Sequence, residues 1–178
     1  MISLPTKAQI DDWFAAAKSN AYFRWGVPAA ALIAIADQAS KYWIVHIAEL
    51  PARRKIEISA IFDLTYVENR GASFGMLSGG MSSRIILSAI SIAVATALVI
   101  WLARLSRRFA AAGAVLIIGG ALGNLFDRIA YGYVVDFLDF SGLYFPWVFN
   151  IADAAINVGV GCLIVDALTH KAEASKAA

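Results

Sequence analysis

From Ile85 to Ala103 the chain runs IILSAISIAVATALVIWLA without one charged residue. An α-helix rises about 1.5 Å per residue, so about 20 apolar residues cross the hydrocarbon of a bilayer. A run this long and this pure leaves few folds open: it is a helix in lipid, packed beside others like it. The rest of the sequence agrees. Of the 178 residues, 60% are hydrophobic and only 16% charged, against roughly half and a quarter in a soluble domain. The length allows a single domain over 1–178 with a few spans and little outside the membrane. A net charge of +2, with basic residues at the ends of apolar segments, gives no sign of a nucleic-acid partner. Cys162 is the single cysteine, so an intramolecular disulfide or a thiolate metal cluster is ruled out.

Three further spans are expected around this one. The four lie at about 25–47, 84–103, 109–130 and 149–169. The first is interrupted by Asp37, Gln38, Ser40 and Lys41, and Asp37 and Lys41 share a helix face at i, i+4. The third becomes polar near its end, where Asn124, Asp127 and Arg128 line one face. The fourth opens with Asn150, Asp153 and Asn157, again on one face. Residues 49–83 are too polar and Gly-rich to span. Within them IEISAIFDLTYVE alternates apolar and polar residues, the pattern of two short strands. The expected fold class is therefore a membrane all-α protein with a small β element, a sheet between the first two transmembrane helices.

Residues 1–24 lack the apolar core and small-residue cleavage site of a removable signal, and read as a cytoplasmic lead-in, an interfacial helix using Trp13 and Phe14. Basic residues set the orientation. Lys7, Lys18 and Arg24 precede the first span, Arg104, Arg107 and Arg108 join the second to the third, and Lys171 and Lys176 follow the fourth. Between Ile129 and His170 there is no Lys or Arg. The positive-inside rule then puts both termini in the cytoplasm, with 49–83 and 131–148 outside, although Arg53, Arg54 and Lys55 run against it.

Charge at a membrane boundary is costly and tends to be paired or functional. His46 and His170 are the only histidines, no HExxH exists, and the two fall on opposite faces, so no metal site is expected. Gly71-Ala72-Ser73-Phe74-Gly75 matches G-x-S-x-G, but no parallel sheet can be built around it to make that turn. Ser40 and Lys41 are adjacent, and neighbours on a helix point about 100° apart. Carboxylates remain. One ionised and one protonated carboxyl can divide amide hydrolysis between them, and Asp136 and Asp153 both fall near the outer interface. Spacing alone equally allows Asp136 to turn its loop and Asp153 to bond a neighbouring helix. A transport or channel subunit could use Asp37, Asp127 and Asp153 as a proton relay, but the polar groups gather at one face and the second span has none.

Five blocks, in order, carry a resemblance: Asp37-Gln38-Ala39-Ser40-Lys41, Asn69-Arg70-Gly71-Ala72-Ser73-Phe74, Gly119 to Arg128, Val134-Val135-Asp136-Phe137, and Phe149-Asn150-Ile151-Ala152-Asp153. From about Ile33 to Val165 the chain resembles bacterial lipoprotein signal peptidase (signal peptidase II), whose usual pattern has Ala where Ser73 stands. The resemblance implies an aspartic endopeptidase of the bacterial cytoplasmic membrane, working at its extracytoplasmic face. Such an enzyme cuts prolipoproteins before a diacylglyceryl-modified Cys. It implies Asp136 and Asp153 as catalytic residues, and Asn69, Gly71, Asn124, Arg128 and Asn150 lining the substrate site. Asp37 and Lys41 would support that site from the first span. Asp127, beside Arg128 and one helical turn from Asn124, is expected to hold the site together through a local ion pair and polar network. No cofactor or metal is implied; the expected partners are diacylglyceryl prolipoproteins and membrane lipids, and the expected state is a monomer.

Overall fold

A computed structural model describes residues 5–71 and 80–177, with side chains as far as His170. Ser73 lies outside the described residues. The chain opens with α1 (Lys7–Ser19), whose N-terminus is closed by a capping box: Gln9 N–H donates to Thr6 Oγ1 and Gln9 Oε1 accepts from Thr6 N–H. Asn20 then makes the corner. It ends α1 through its N–H to Ala16 O, and its Oδ1 caps α2 (Ala21–Tyr42) at Tyr22 N, 2.8 Å away. A π-helical turn, Trp43–Ile47, and a short helix α3 (Leu50–Arg53) carry the chain into the strands β1 (Lys55–Glu57) and β2 (Asp63–Asn69). Next come two long helices, α4 (Gly80–Leu102) and α5 (Arg108–Ala130). Two more strands, β3 (Val134–Asp139) and β4 (Val148–Phe149), precede the last helix, α6 (Ile151–Ala177).

Among the described residues, three helices are long and apolar enough to cross a membrane: α4, α5 and the Ile151–His170 part of α6. α2 has the length, at 22 residues, but its C-terminal part is polar. α5 is the central helix, with 61% of its most apolar stretch buried against 11% for α4 and 17% for α6. Small residues bring the helices together along it. A Cβ at Gly120 would run into the carbonyl of Ala152, and one at Gly119 would sit 2.8 Å from Ala30 O, so α6 and α2 approach α5 backbone to backbone.

The sheet is antiparallel in the order β1-β2-β3-β4. The alternation in 56–68 does give two strands. The other half of the sheet comes from β3 and β4, between α5 and α6. β3 pairs with β2 (Val67 opposite Asp136, Asn69 opposite Val134), with an irregularity between Leu64 and Val67. The sheet is thus not confined to the segment between the first two transmembrane helices. Val135 and Phe137 point into an apolar cluster with Ile44, Leu50 and Leu64 that seats the sheet on the end of the bundle. By the two-residue period of a strand, Asp136 points to the opposite face. α6 continues beyond the fourth expected span to Ala177.

Candidate functional site

Three helix ends and one strand converge beneath the sheet. α2 contributes Asp37, Gln38 and Lys41, the end of α5 contributes Asn124, Asp127 and Arg128, and α6 begins just after Asn150. All of Asp37, Lys41, Asn124, Asp127, Asp136 and Asn150 are buried.

Asn150 is the hinge of the arrangement. Its Oδ1 accepts from Asp153 N–H at 2.8 Å while its own N–H lies 3.4 Å from Asp153 Oδ2, a reciprocal cap on the first turn of α6. Its Nδ2 donates to Asp136 Oδ1 at 2.6 Å and also lies near Asn124 Oδ1 (3.2 Å) and Val135 O (3.3 Å). One residue therefore touches both Asp136 and Asp153. Asn69 Nδ2 donates to the other Asp136 oxygen at 3.0 Å, from the diagonal position across β2 and β3. Asn69 Oδ1 accepts from Gly71 N–H at 3.1 Å and so turns the chain at the end of β2. Asn124 Nδ2 donates to Asp153 Oδ1 at 2.7 Å.

Burial pushes the Asp136 carboxyl up to about 7, with the charge of Asp153 adding to the effect and the amides of Asn69 and Asn150 opposing it. Asp153 sits on the first turn of α6, half-buried, with Oδ1 held by Asn124 and Oδ2 facing Asn150 N–H. Two carboxyls in such different settings, held by one asparagine, can act as the acid and the base of a hydrolysis.

Behind the pair is a buried ion triad. Lys41 Nζ lies 2.7 Å from Asp37 Oδ2 and 2.9 Å from Asp127 Oδ2, and donates to Asn124 Oδ1 at 3.2 Å. Asp37 Oδ1 accepts from Ala152 N–H at 2.9 Å, which ties α2 to the start of α6. Gly123 makes the room: a Cβ there would sit 2.7 Å from Asp37 Oδ2. Asp127 Oδ2 also accepts from Val135 N–H at 3.1 Å, fixing β3 one residue before Asp136. The expected Asp127–Arg128 pair is corrected here. Asp127 pairs with Lys41, and among the described residues no ion pair joins it to Arg128. Neighbouring residues on a helix diverge by about 100°, so Arg128 swings away, its Nη1 reaching Asn124 O at 3.4 Å. Arg128 stays half-buried, within electrostatic reach of Asp153 and Asp136.

Gln38 was given no role from the sequence, yet its Nε2 donates to Asp127 Oδ1 at 2.7 Å and to Gly123 O at 3.0 Å. The signal was its place between Asp37 and Lys41. Asn157, expected on the Asn150–Asp153 face, is exposed and takes no part. A cavity of about 470 Å³ opens beside the triad, over Lys41, Asp127, Tyr66, Tyr131 and Tyr133. Neither Asp136 nor Asp153 lines it. Among the described residues no cluster of His, Cys, Asp and Glu has the arrangement of a metal site.

Comparison with known proteins bears on this geometry. Residues 29–169 match the family described as Signal peptidase (SPase) II. The lipoprotein signal peptidase of Caulobacter vibrioides is 44% identical over 152 residues, covering 81% of this chain and 90% of that protein. That of Rhodopseudomonas palustris is 42% identical over 151 residues, covering 82% and 92%. A bacterial membrane enzyme solved by the in meso method at 2.3 Å superposes with a TM-score of 0.74 at 30% identity, covering 83% of this chain and 90% of that one.

Proposed function

The chain belongs to the signal peptidase II family, and from this premise we propose how it removes signal peptides from prolipoproteins. It is an aspartic endopeptidase that cuts just before a diacylglyceryl-modified Cys, with Asp136 and Asp153 as the catalytic pair. The reading rests on one set of contacts, the bridging of both carboxyls by Asn150.

In the proposed reaction Asp136 holds the proton of the pair and donates it towards the scissile carbonyl oxygen. Asp153 takes a proton from the water that attacks the carbonyl carbon. The tetrahedral diol then collapses: a hydroxyl returns its proton to Asp136, the C–N bond breaks, and the leaving nitrogen collects the proton that Asp153 took, which restores the pair. Asn69, Asn124, Asn150 and Arg128 surround this point as hydrogen-bonding partners for the extended backbone, which in lipid has no water to satisfy it. The lipid anchor and the apolar signal segment deliver the peptide already confined to the interface, so the cut is effectively intramolecular. The direct test is purified protein acting on a precursor peptide with and without diacylglycerol on its Cys. Cleavage only of the lipidated peptide is expected, and equal cleavage of both would refute the cut before a lipidated Cys.

The Asp136 setting makes the pH profile a second test. With its proton held to about 7 rather than the ordinary 3.8, the acid is available at neutral pH. The profile of kcat/KM is expected to have an alkaline limb near 7, falling about tenfold per pH unit beyond it. The fold binds a proton here, between 3.8 and about 7, that the unfolded chain releases. The stabilising contribution of this group is therefore full below 3.8 and gone above about 7. A profile flat from pH 6 to 9 would remove Asp136 as the acid.

We place α2 as a fourth span, with Asp37 and Lys41 neutralising each other inside it, both termini in the cytoplasm and the pair at the outer face. Tyr144 is 98% exposed on the sheet side and Ser106 is exposed between α4 and α5. In a Cys162→Ala background, an impermeant thiol reagent outside intact cells is expected to label Tyr144→Cys and spare Ser106→Cys. Labelling of Ser106→Cys alone would invert the topology.

A further inference from the structure

The end of the bundle away from the carboxyls holds a second cavity, of about 460 Å³, between α1 and the start of α2. Trp13, Phe14, Phe23, Val27 and Pro28 give it apolar walls, and Lys18 and Arg24 complete the lining. The cavity is preformed because α1 is fastened down. Trp13 Nε1 donates to Ile100 O at 3.0 Å near the end of α4, and the Trp13 and Phe23 rings meet edge to face at 5.6 Å. Asn20 Nδ2, at the corner, donates to Leu105 O at 2.8 Å. Phe14 is nonetheless 53% exposed.

Lys18 and Arg24 are exposed, and neither is paired with a carboxylate among the described residues. Arg107, at the same end, is already engaged by Asp166 at 2.7 Å. Asp11 and Asp12, the acids of α1, are exposed and lie up to two turns before Lys18. Two uncommitted cations over an apolar trough, level with the end of a membrane-spanning helix, match one chemistry. A phosphodiester meets the cations while a hydrocarbon chain fills the trough. A free phosphate would leave the apolar walls wet, and a zwitterionic headgroup brings a cation of its own towards Lys18 and Arg24.

We propose that this cavity seats one anionic phospholipid, its phosphate between Lys18 and Arg24 and an acyl chain along Trp13, Phe14 and Phe23. The seat holds α1 against the bundle and is independent of the peptidase reaction. Native mass spectrometry of the full chain in detergent, titrated with phosphatidylglycerol or with phosphatidylcholine of the same chains, tests it. One retained phosphatidylglycerol is expected, with phosphatidylcholine lost much earlier. Lys18→Gln/Arg24→Gln is expected to weaken retention on the order of thirtyfold. Val27→Trp, which fills the trough and leaves the charges alone, is expected to weaken it as well. Arg53→Gln/Arg54→Gln, at the end of α3 and remote from the cavity, is expected to leave it unchanged, and the unfolding midpoint of each variant reports that it is folded. Equal retention of the two lipids would overturn the seat. So would a loss in Lys18→Gln/Arg24→Gln no larger than in Arg53→Gln/Arg54→Gln, or undiminished retention in Val27→Trp.

Discussion

Turnover of a diacylglyceryl precursor is expected to fall by at least about 10²–10⁴-fold when either Asp136 or Asp153 is replaced by Asn. An amide keeps the shape of the carboxyl but can neither hold the acidic proton at position 136 nor take one from water at position 153. In the proposed mechanism the two act as a unit, so their effects are not expected to add. Asp136→Asn/Asp153→Asn is expected to be scarcely slower than the slower single variant. Substrate binding is expected to survive, because Asn69, Asn124 and Arg128 keep their places and the lipid anchor is untouched. Each Asp136 oxygen accepts from one asparagine amide, so Asp136→Asn turns a donor towards a donor. It carries a local cost of about 1–3 kcal/mol. Activity is therefore compared only among variants that elute and unfold as folded protein. Full turnover by either folded single variant would end the assignment of the pair.

The parts of this molecule that were legible in the sequence are those in which the signal is local. A charge-free run is a helix in lipid wherever it sits, and i, i+4 spacing alone brought Asp37 to Lys41, now 2.7 Å apart. Alternation marked β1 and β2. The parts that were not legible depend on pairing across the chain. VVDFLD is buried at five of its six residues, on both faces, so it shows no alternation to announce a strand, and its register against β2 is set by tertiary contacts. The same holds for Asp127. Adjacency suggested Arg128, whereas helical geometry sends the two side chains apart, and the true partner is Lys41 on another helix. Gln38 went unassigned for a related reason. Its use appears only once α5 is packed against α2 closely enough for Nε2 to reach both Asp127 and the carbonyl of Gly123.

That correction produces the second large effect. Lys41→Met keeps the length of the side chain and removes the only cation of the triad, leaving Asp37 and Asp127, 0% and 1% exposed, with their charges unopposed. Breaking a buried pair from one side costs about 3–5 kcal/mol, because the partner keeps its charge without water or a counter-ion. Here two carboxylates are stranded, so the upper part of that range is expected, read as a fall in the unfolding midpoint in detergent. Activity is expected to fall with it. Asn124 Oδ1 loses its contact with Lys41 and Asp127 its anchor, and these position Asp153 and β3. Removing one anion tests the cause: Lys41→Met/Asp127→Asn is expected to recover part of the lost stability, since a single carboxylate is easier to keep neutral. Lys41→Arg is expected to rescue little, because a planar guanidinium does not fit a site packed around an ammonium. Arg128→Met separates the two pairings. If Asp127 depended on its sequence neighbour, Arg128→Met would be the more destabilising change. With the triad as described, Lys41→Met is much the worse of the two, and the reverse order in midpoints would show that Asp127 is held by Arg128 after all.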